Sequence, residues 1–185
     1  LQSAITANAN AQVNFSIRQL NANQPLAITY GQYTNDATAL AKITSNYSLS
    51  LSDAPIDEAT DSTSSLYKDK SVTGLQVQGT HSRIEASLSA LNGLGDKVTA
   101  ITQTDASTDD LSLSLDQWTT YGKTINKIQS GVHASISGVP VSGVTSLLLD
   151  SRVKNISVSD SVSNISTAID QLNNLGPKLV KITPS

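Results

Sequence analysis

The chain has 185 residues, no cysteine, 15% charged side chains and a formal net charge of −3. That length can bury a continuous apolar core unaided, and the missing cysteines exclude disulfides, thiolate metal sites and cysteine nucleophiles. The slightly acidic balance and scattered lysines leave no basic footprint for DNA or RNA, and no apolar run approaches the roughly 18–20 residues that cross a bilayer. With charge well below the usual share of about 25%, Ser, Thr, Asn and Gln must cover most of the surface. Leu1 opens a polar stretch rather than a signal peptide, so the chain reads as an excised or processed segment.

In chain order, residues 1–25 come first: Val13, Ile17 and Leu20 have helical spacing there, and the stretch reads as a degenerate first coil or a cap helix. Short segments apolar at period two follow, at Leu26-Ala27-Ile28, Leu49-Ser50-Leu51, Leu75-Gln76-Val77 and Val98 to Ile101, and each predicts a strand with one face inward. Asp57, Glu58 and Asp61, just after Pro55, suit the first turn of a helix. Ile84, Leu88, Leu91 and Leu94 fall on one helix face, with Thr80 placed to cap the start and Gly95 to leave the end through a left-handed residue. Between Ile101 and Leu111 there is no room for a helix. The run Asp105-Ala106-Ser107-Thr108-Asp109-Asp110 predicts a loop making a hairpin-like step near 102–112, or a strand that turns onto a second face. A hairpin would reverse the later strands and leave a mostly parallel but mixed sheet. Strands are then expected at Leu111 to Leu115, Ala134-Ser135-Ile136, Ile156-Ser157-Val158 and Leu179 to Ile182. One more helix carries Ile165, Ile169, Leu172 and Leu175 on a single face, with Asp160 and Ser161 at its start and Gly176 after it.

These elements repeat. A shift of 85 places Leu26 on Leu111, Gln32 on Gln117, Tyr33 on Trp118, Ile43 on Ile128 and Pro55 on Pro140. A shift of 81 then places Leu75 on Ile156, Ile84 on Ile165, Leu91 on Leu172, Gly95 on Gly176 and Lys97 on Lys178. Two copies, 26–110 and 111–185, follow the degenerate segment. Strands recur about every 22 to 26 residues, enough for a strand, one short helix and two tight connections. The expected fold class is therefore α/β, a repeat solenoid of alternating short strands and helices with right-handed, parallel crossovers. Eight strands would stack to roughly 38 Å.

The run Ile156-Ser157-Val158-Ser159-Asp160, then Ile165, Ile169 and Leu172, then Lys178 to Thr183, resembles repeats of very long bacterial surface proteins. These include adhesin-like proteins exported by type I secretion. Leu111 to Leu115 with Asp116-Gln117-Trp118, and Ile125-Asn126-Lys127-Ile128, look like the other half of the same unit. The resemblance implies an extracellular or cell-surface, structural or adhesive setting, and it supplies no catalytic residue. The glycine- and aspartate-rich calcium nonapeptides that often accompany such repeats are missing.

Three groups of residues are candidates for chemistry. Asp105, Asp109 and Asp110 form the densest carboxylate cluster and could offer calcium its oxygen ligands, although no EF-hand spacing surrounds them and a solvated turn explains them more simply. Trp118 and Tyr33 occupy equivalent places just after a strand, where they either stack on sugar rings or plug a helix-sheet junction; packing accounts better for recurrence at one repeat position. His81 and His133 align under neither shift and belong to no helical zinc motif, nor does a serine elbow occur. The N-x-S sequons at Asn14, Asn46, Asn155 and Asn164 arise easily in a serine-rich chain. The expectation is a non-enzymatic structural or self-associating module that takes no cofactor, except calcium if the aspartates gather. Its partners would be neighbouring repeats or copies of itself end to end. The alternative is a module that binds glycans or another surface ligand.

Overall fold

A computed structural model of the protein describes residues 24–129 and 131–185. The expected segment 1–25 lies almost wholly outside the described residues. Eight strands form: β1 Leu26–Thr29, β2 Leu49–Pro55, β3 Val72–Gly79, β4 Val98–Gln103, β5 Leu111–Ser114, β6 Ala134–Val139, β7 Val153–Asp160 and β8 Leu179–Pro184. All eight predicted strands are present, because each alternates a core-facing Leu, Ile, Val or Ala with a polar residue. They make two open four-stranded sheets, ordered β1-β2-β3-β4 and β5-β6-β7-β8, and every neighbouring pair is parallel.

Helices fill the crossovers. The first copy has α1 Tyr30–Asn35, α2 Ala37–Leu40, α3 Ile56–Thr60, α4 Ser65–Lys68 and α5 His81–Gly93. The second has α6 Leu115–Thr120, α7 Gly122–Ile125, α8 Val144–Leu148, α9 Val162–Thr167 and α10 Ile169–Asn173. Short 3₁₀ turns at Gly95–Lys97 and Gly176–Lys178 lead into β4 and β8, with Gly95 and Gly176 at φ +56° and +53°.

The two copies repeat local geometry as well as pattern. Thr29 with Gln32, and Ser114 with Gln117, each form a reciprocal capping box that starts α1 and α6. Both β2 and β6 shift register before their last turn, between Leu51 and Ala54 and between Ile136 and Val139. A left-handed residue sits in each bulge: Asp53 at φ 58° and Gly138 at φ 65°. Thr104 N donates to Gly79 O, and Ser185 N to Asp160 O, each at 2.9 Å. One apolar cluster runs from Leu40 to Leu175 through both copies.

Two expectations are corrected. No hairpin forms over 102–112: among the described residues β4 and β5 do not pair, and the sheets are not mixed. Gln103 Nε2 donates to Asp105 O and Ser107 O at 3.1 and 2.7 Å, which turns the loop aside, and β5 starts a second parallel sheet in the place that β1 has in the first. The Ile165-to-Leu175 segment is likewise not one helix, for it breaks at Ala168 (φ −106°, ψ 18°) between α9 and α10. Val162, Ile165, Thr167 and Ile169 are β-branched, where the equivalent stretch of α5 holds one such residue, and Thr167 Oγ1 bonds back to Ser163 O at 2.9 Å. Ile169 is 54% exposed, whereas its counterpart Leu88 is 1% exposed.

Candidate functional site

The copies meet where α5 and β4 face α7 and the segment after it. Ile101 N donates to Lys127 O and Gln129 N to Ile101 O, both at 2.9 Å, a parallel bridge that continues the first sheet by one step into the second copy. The Thr102 hydroxyl donates to Gln129 Oε1 at 3.1 Å, and Lys127 Nζ to Gly95 O at 2.9 Å. Inside the seam Thr124, only 3% exposed, donates to Asn92 Oδ1 at 3.0 Å. Glu85 Oε2 accepts from Ser112 N at 3.1 Å and so ties the start of β5 to α5.

One end of this seam opens as a cleft of about 270 Å³. His81, His133, Asp105, Asp109, Gln103 and Ile84 are among its lining residues. It gathers both histidines and two of the three candidate aspartates. Three of these side chains have partners within the chain: Asp105 Oδ1 accepts from His81 N at 3.0 Å, Asp109 Oδ2 from the Ser107 hydroxyl at 2.8 Å, and His81 Nε2 lies 3.7 Å from Glu85. Asp110 is turned away. Its Oδ2 accepts from the Ser135 hydroxyl and from Asn155 Nδ2, both at 2.8 Å, across β6 and β7. Among the described residues no three histidine or carboxylate side chains converge as metal ligands, so the aspartate cluster of the sequence is not a cluster in space. The carboxylates instead cap a helix, brace a turn and tie two strands.

Tyr33 and Trp118 stand at equivalent places but are held by different contacts. The Tyr33 hydroxyl donates to Asp69 Oδ2 at 3.0 Å, and its ring stacks on Tyr30 with 6.3 Å between centroids. Burial, reinforced by the hydrogen bond to Asp69 and that carboxylate's charge, pushes the phenol up to about 12. Burial alone would raise Asp69, but hydrogen bonds from Ser71 and Tyr33 and the charge of Lys97 outweigh it and hold it below the usual carboxylate range. Lys97 is itself lowered by burial, against the pull of Asp69. In the second copy Trp118 is 9% exposed and Arg152 lies over its ring, 4.8 Å from the centroid. Arg152 grips Asp150 with Nε and Nη2 at 3.0 and 2.7 Å, which lowers the carboxyl. Lys178 Nζ donates to the Asp150 and Leu148 carbonyls at 3.1 and 3.0 Å. The Tyr33 hydroxyl is thus tied to a carboxylate, while the Trp118 ring is covered by a guanidinium.

The shift of 81 that pairs Lys97 with Lys178 also pairs Asp69 with Asp150, a recurrence that marks both acids in the sequence. Arg152 carried no such signal, since Ser71 holds its place in the first copy. The junction residues Thr102, Asn92, Thr124 and Gln129 were invisible to periodicity, being polar groups whose partners come from the other copy. Comparison of the chain with known protein families, with curated proteins and with solved structures gives no match.

Proposed function

We propose that this chain is a non-enzymatic, self-associating structural module of a secreted cell-surface protein, of the adhesin-like kind its repeats resemble, and that its two copies are successive stretches of one solenoid. The observation that carries the reading is the repetition of irregular geometry between the copies: the same capping box, the same bulge with a left-handed residue, and the same closing bond after β4 and β8. Features of that kind are kept when a unit must stack on its neighbours in one register. Strands that follow one another in space in chain order, each returning through helical turns, suit a coil added to a coil. The weakly charged, hydroxyl-rich surface suits a spacer or building block better than a steering surface for a charged partner. A concentration series of sedimentation velocity, with electron microscopy of the same samples, tests the reading. Rising sedimentation coefficients and end-to-end strings are expected; a single monomeric boundary at every concentration would refute self-association.

A further inference from the structure

We propose that the β8 edge is a docking surface for residues 26–43 of a second copy of this chain, seated in the register that residues 111–128 take on β4. The proposal rests on the self-association reading and names the surfaces that would carry it. The seam inside the chain supplies the pattern. There, Ile84, Leu88, Val98 and Ile101 are all buried where the second copy packs against the first. Their counterparts Ile165, Leu179 and Ile182 are half-buried and Ile169 is exposed. Val162, 66% exposed where its counterpart His81 is buried, extends the same apolar face. Among the described residues β8 has β7 as its one partner strand, whereas β4 has both β3 and the bridge at Ile128.

The other half of the seam is present at the opposite end. Leu26 and Ile28 of β1 and Tyr33 of α1 are half-buried, while Leu111, Leu113 and Trp118, their equivalents at the seam, are buried. Carrying the bridge over by the two shifts puts Ile182 opposite Ile43 of the second copy, Thr183 beside its Thr44, and its Lys42 ammonium on the Gly176 carbonyl. The backbone bonds of the seam use residue 101 alone, so Pro184 in place of Gln103 removes no needed donor. Two polar contacts do not carry over: Ala39, already buried within the chain, stands in place of Thr124 and offers Asn173 no hydroxyl, and Ser166 stands where Glu85 binds β5. Lys181 replaces Ala100, and its charge must stay in water at the rim. These differences make the intermolecular seam weaker than the internal one, and so reversible. An edge that carries Lys and Pro also resists pairing with the wrong strand.

Because the chain has no cysteine, paired cysteine variants read the register directly. Thr183→Cys and Thr44→Cys, both at exposed positions, are mixed and mildly oxidised. Thr102→Cys with Gln129→Cys in one chain serves as the internal standard. Disulfide dimers are expected in the mixture and in neither variant alone, and Ile169→Asp should weaken association by about tenfold or more. If the chain associates but the mixture yields no selective dimer, or if Thr183→Cys pairs with itself, the docking surface is wrong while self-association stands. Unchanged association in Ile169→Asp would also overturn the surface. A chain that stays monomeric at every concentration removes both this proposal and the reading beneath it.

Discussion

Leu88 and Ile169 occupy the same position of two copies of one repeat, and a comparison of their alanine variants isolates what the seam between copies contributes. Leu88 lies in the middle of α5, which packs against α3 of its own copy and α7 of the next, and it is 1% exposed. Truncating a leucine so enclosed costs about 2–5 kcal/mol, the transfer free energy plus the cavity. Ile169 is already 54% in water. At most about half of the roughly 1.5–3 kcal/mol for burying an isoleucine is at stake there, and alanine's better helix propensity returns a few tenths. Leu88→Ala should therefore be about 1–4 kcal/mol worse than Ile169→Ala. With a urea dependence of about 2 kcal/mol/M, that separates their midpoints by about 0.5–2 M. The assay is urea unfolding followed by circular dichroism at low protein concentration, so that self-association does not cover Ile169. Equal losses in the two variants would mean that the last helix is as enclosed as the first, and the asymmetry on which the open edge depends would be wrong.

Three further outcomes follow from the aromatic clusters and the loop. The Tyr33 phenol, pushed up to about 12 from 10, is favoured by the fold in its neutral form, so its contribution is complete below pH 10 and is lost as pH rises through 12. Tyr33→Phe should be less stable than wild type by about 1 kcal/mol at pH 8, with the gap closing between pH 10 and 12 in thermal melts; a constant gap would refute the Asp69 contact. Arg152→Lys removes the two-pronged grip on Asp150 and the planar cover of Trp118, and should cost about 1 kcal/mol and move the emission of the single tryptophan to longer wavelength. Unchanged fluorescence would show that the guanidinium does not shield the ring. Because Asp105, Asp109 and Asp110 have separate partners, millimolar calcium should leave the melting temperature where it is, and a rise abolished by Asp109→Asn would contradict that assignment.

Period-two alternation located all eight strands, because each buries one face and a parallel sheet in a repeat asks no more of them. The failures came where partners lie far apart in sequence. The 102–112 step reads from sequence as a hairpin or as a strand turning onto a second face; the hairpin does not form and β5 enters a second sheet, with Gln103 binding two loop carbonyls and Ile101 bridging to Ile128. Helical spacing puts Ile169 on one face with Ile165, Leu172 and Leu175, but spacing alone does not say whether anything covers that face. The aspartates at 105, 109 and 110 are close in sequence, yet Asp105 accepts from His81 N, Asp109 from Ser107, and Asp110 from Ser135 and Asn155. For Tyr33 and Trp118, recurrence at one repeat position favours packing over a sugar platform, and the contacts that hold them are the Tyr33 hydroxyl on Asp69 and Arg152 over the Trp118 ring.

The claim on which the rest depends is that the two copies form one cooperative stack. Trp118 reports only on the second copy, while far-ultraviolet circular dichroism reports on both, so urea unfolding followed by the two signals tests it directly. A seam that shares one apolar cluster, a backbone bridge and the Thr124–Asn92 bond predicts coincident transitions with one midpoint. A tryptophan transition separated from the circular-dichroism transition would show two independent units, and would contradict both the stack and the edge it implies.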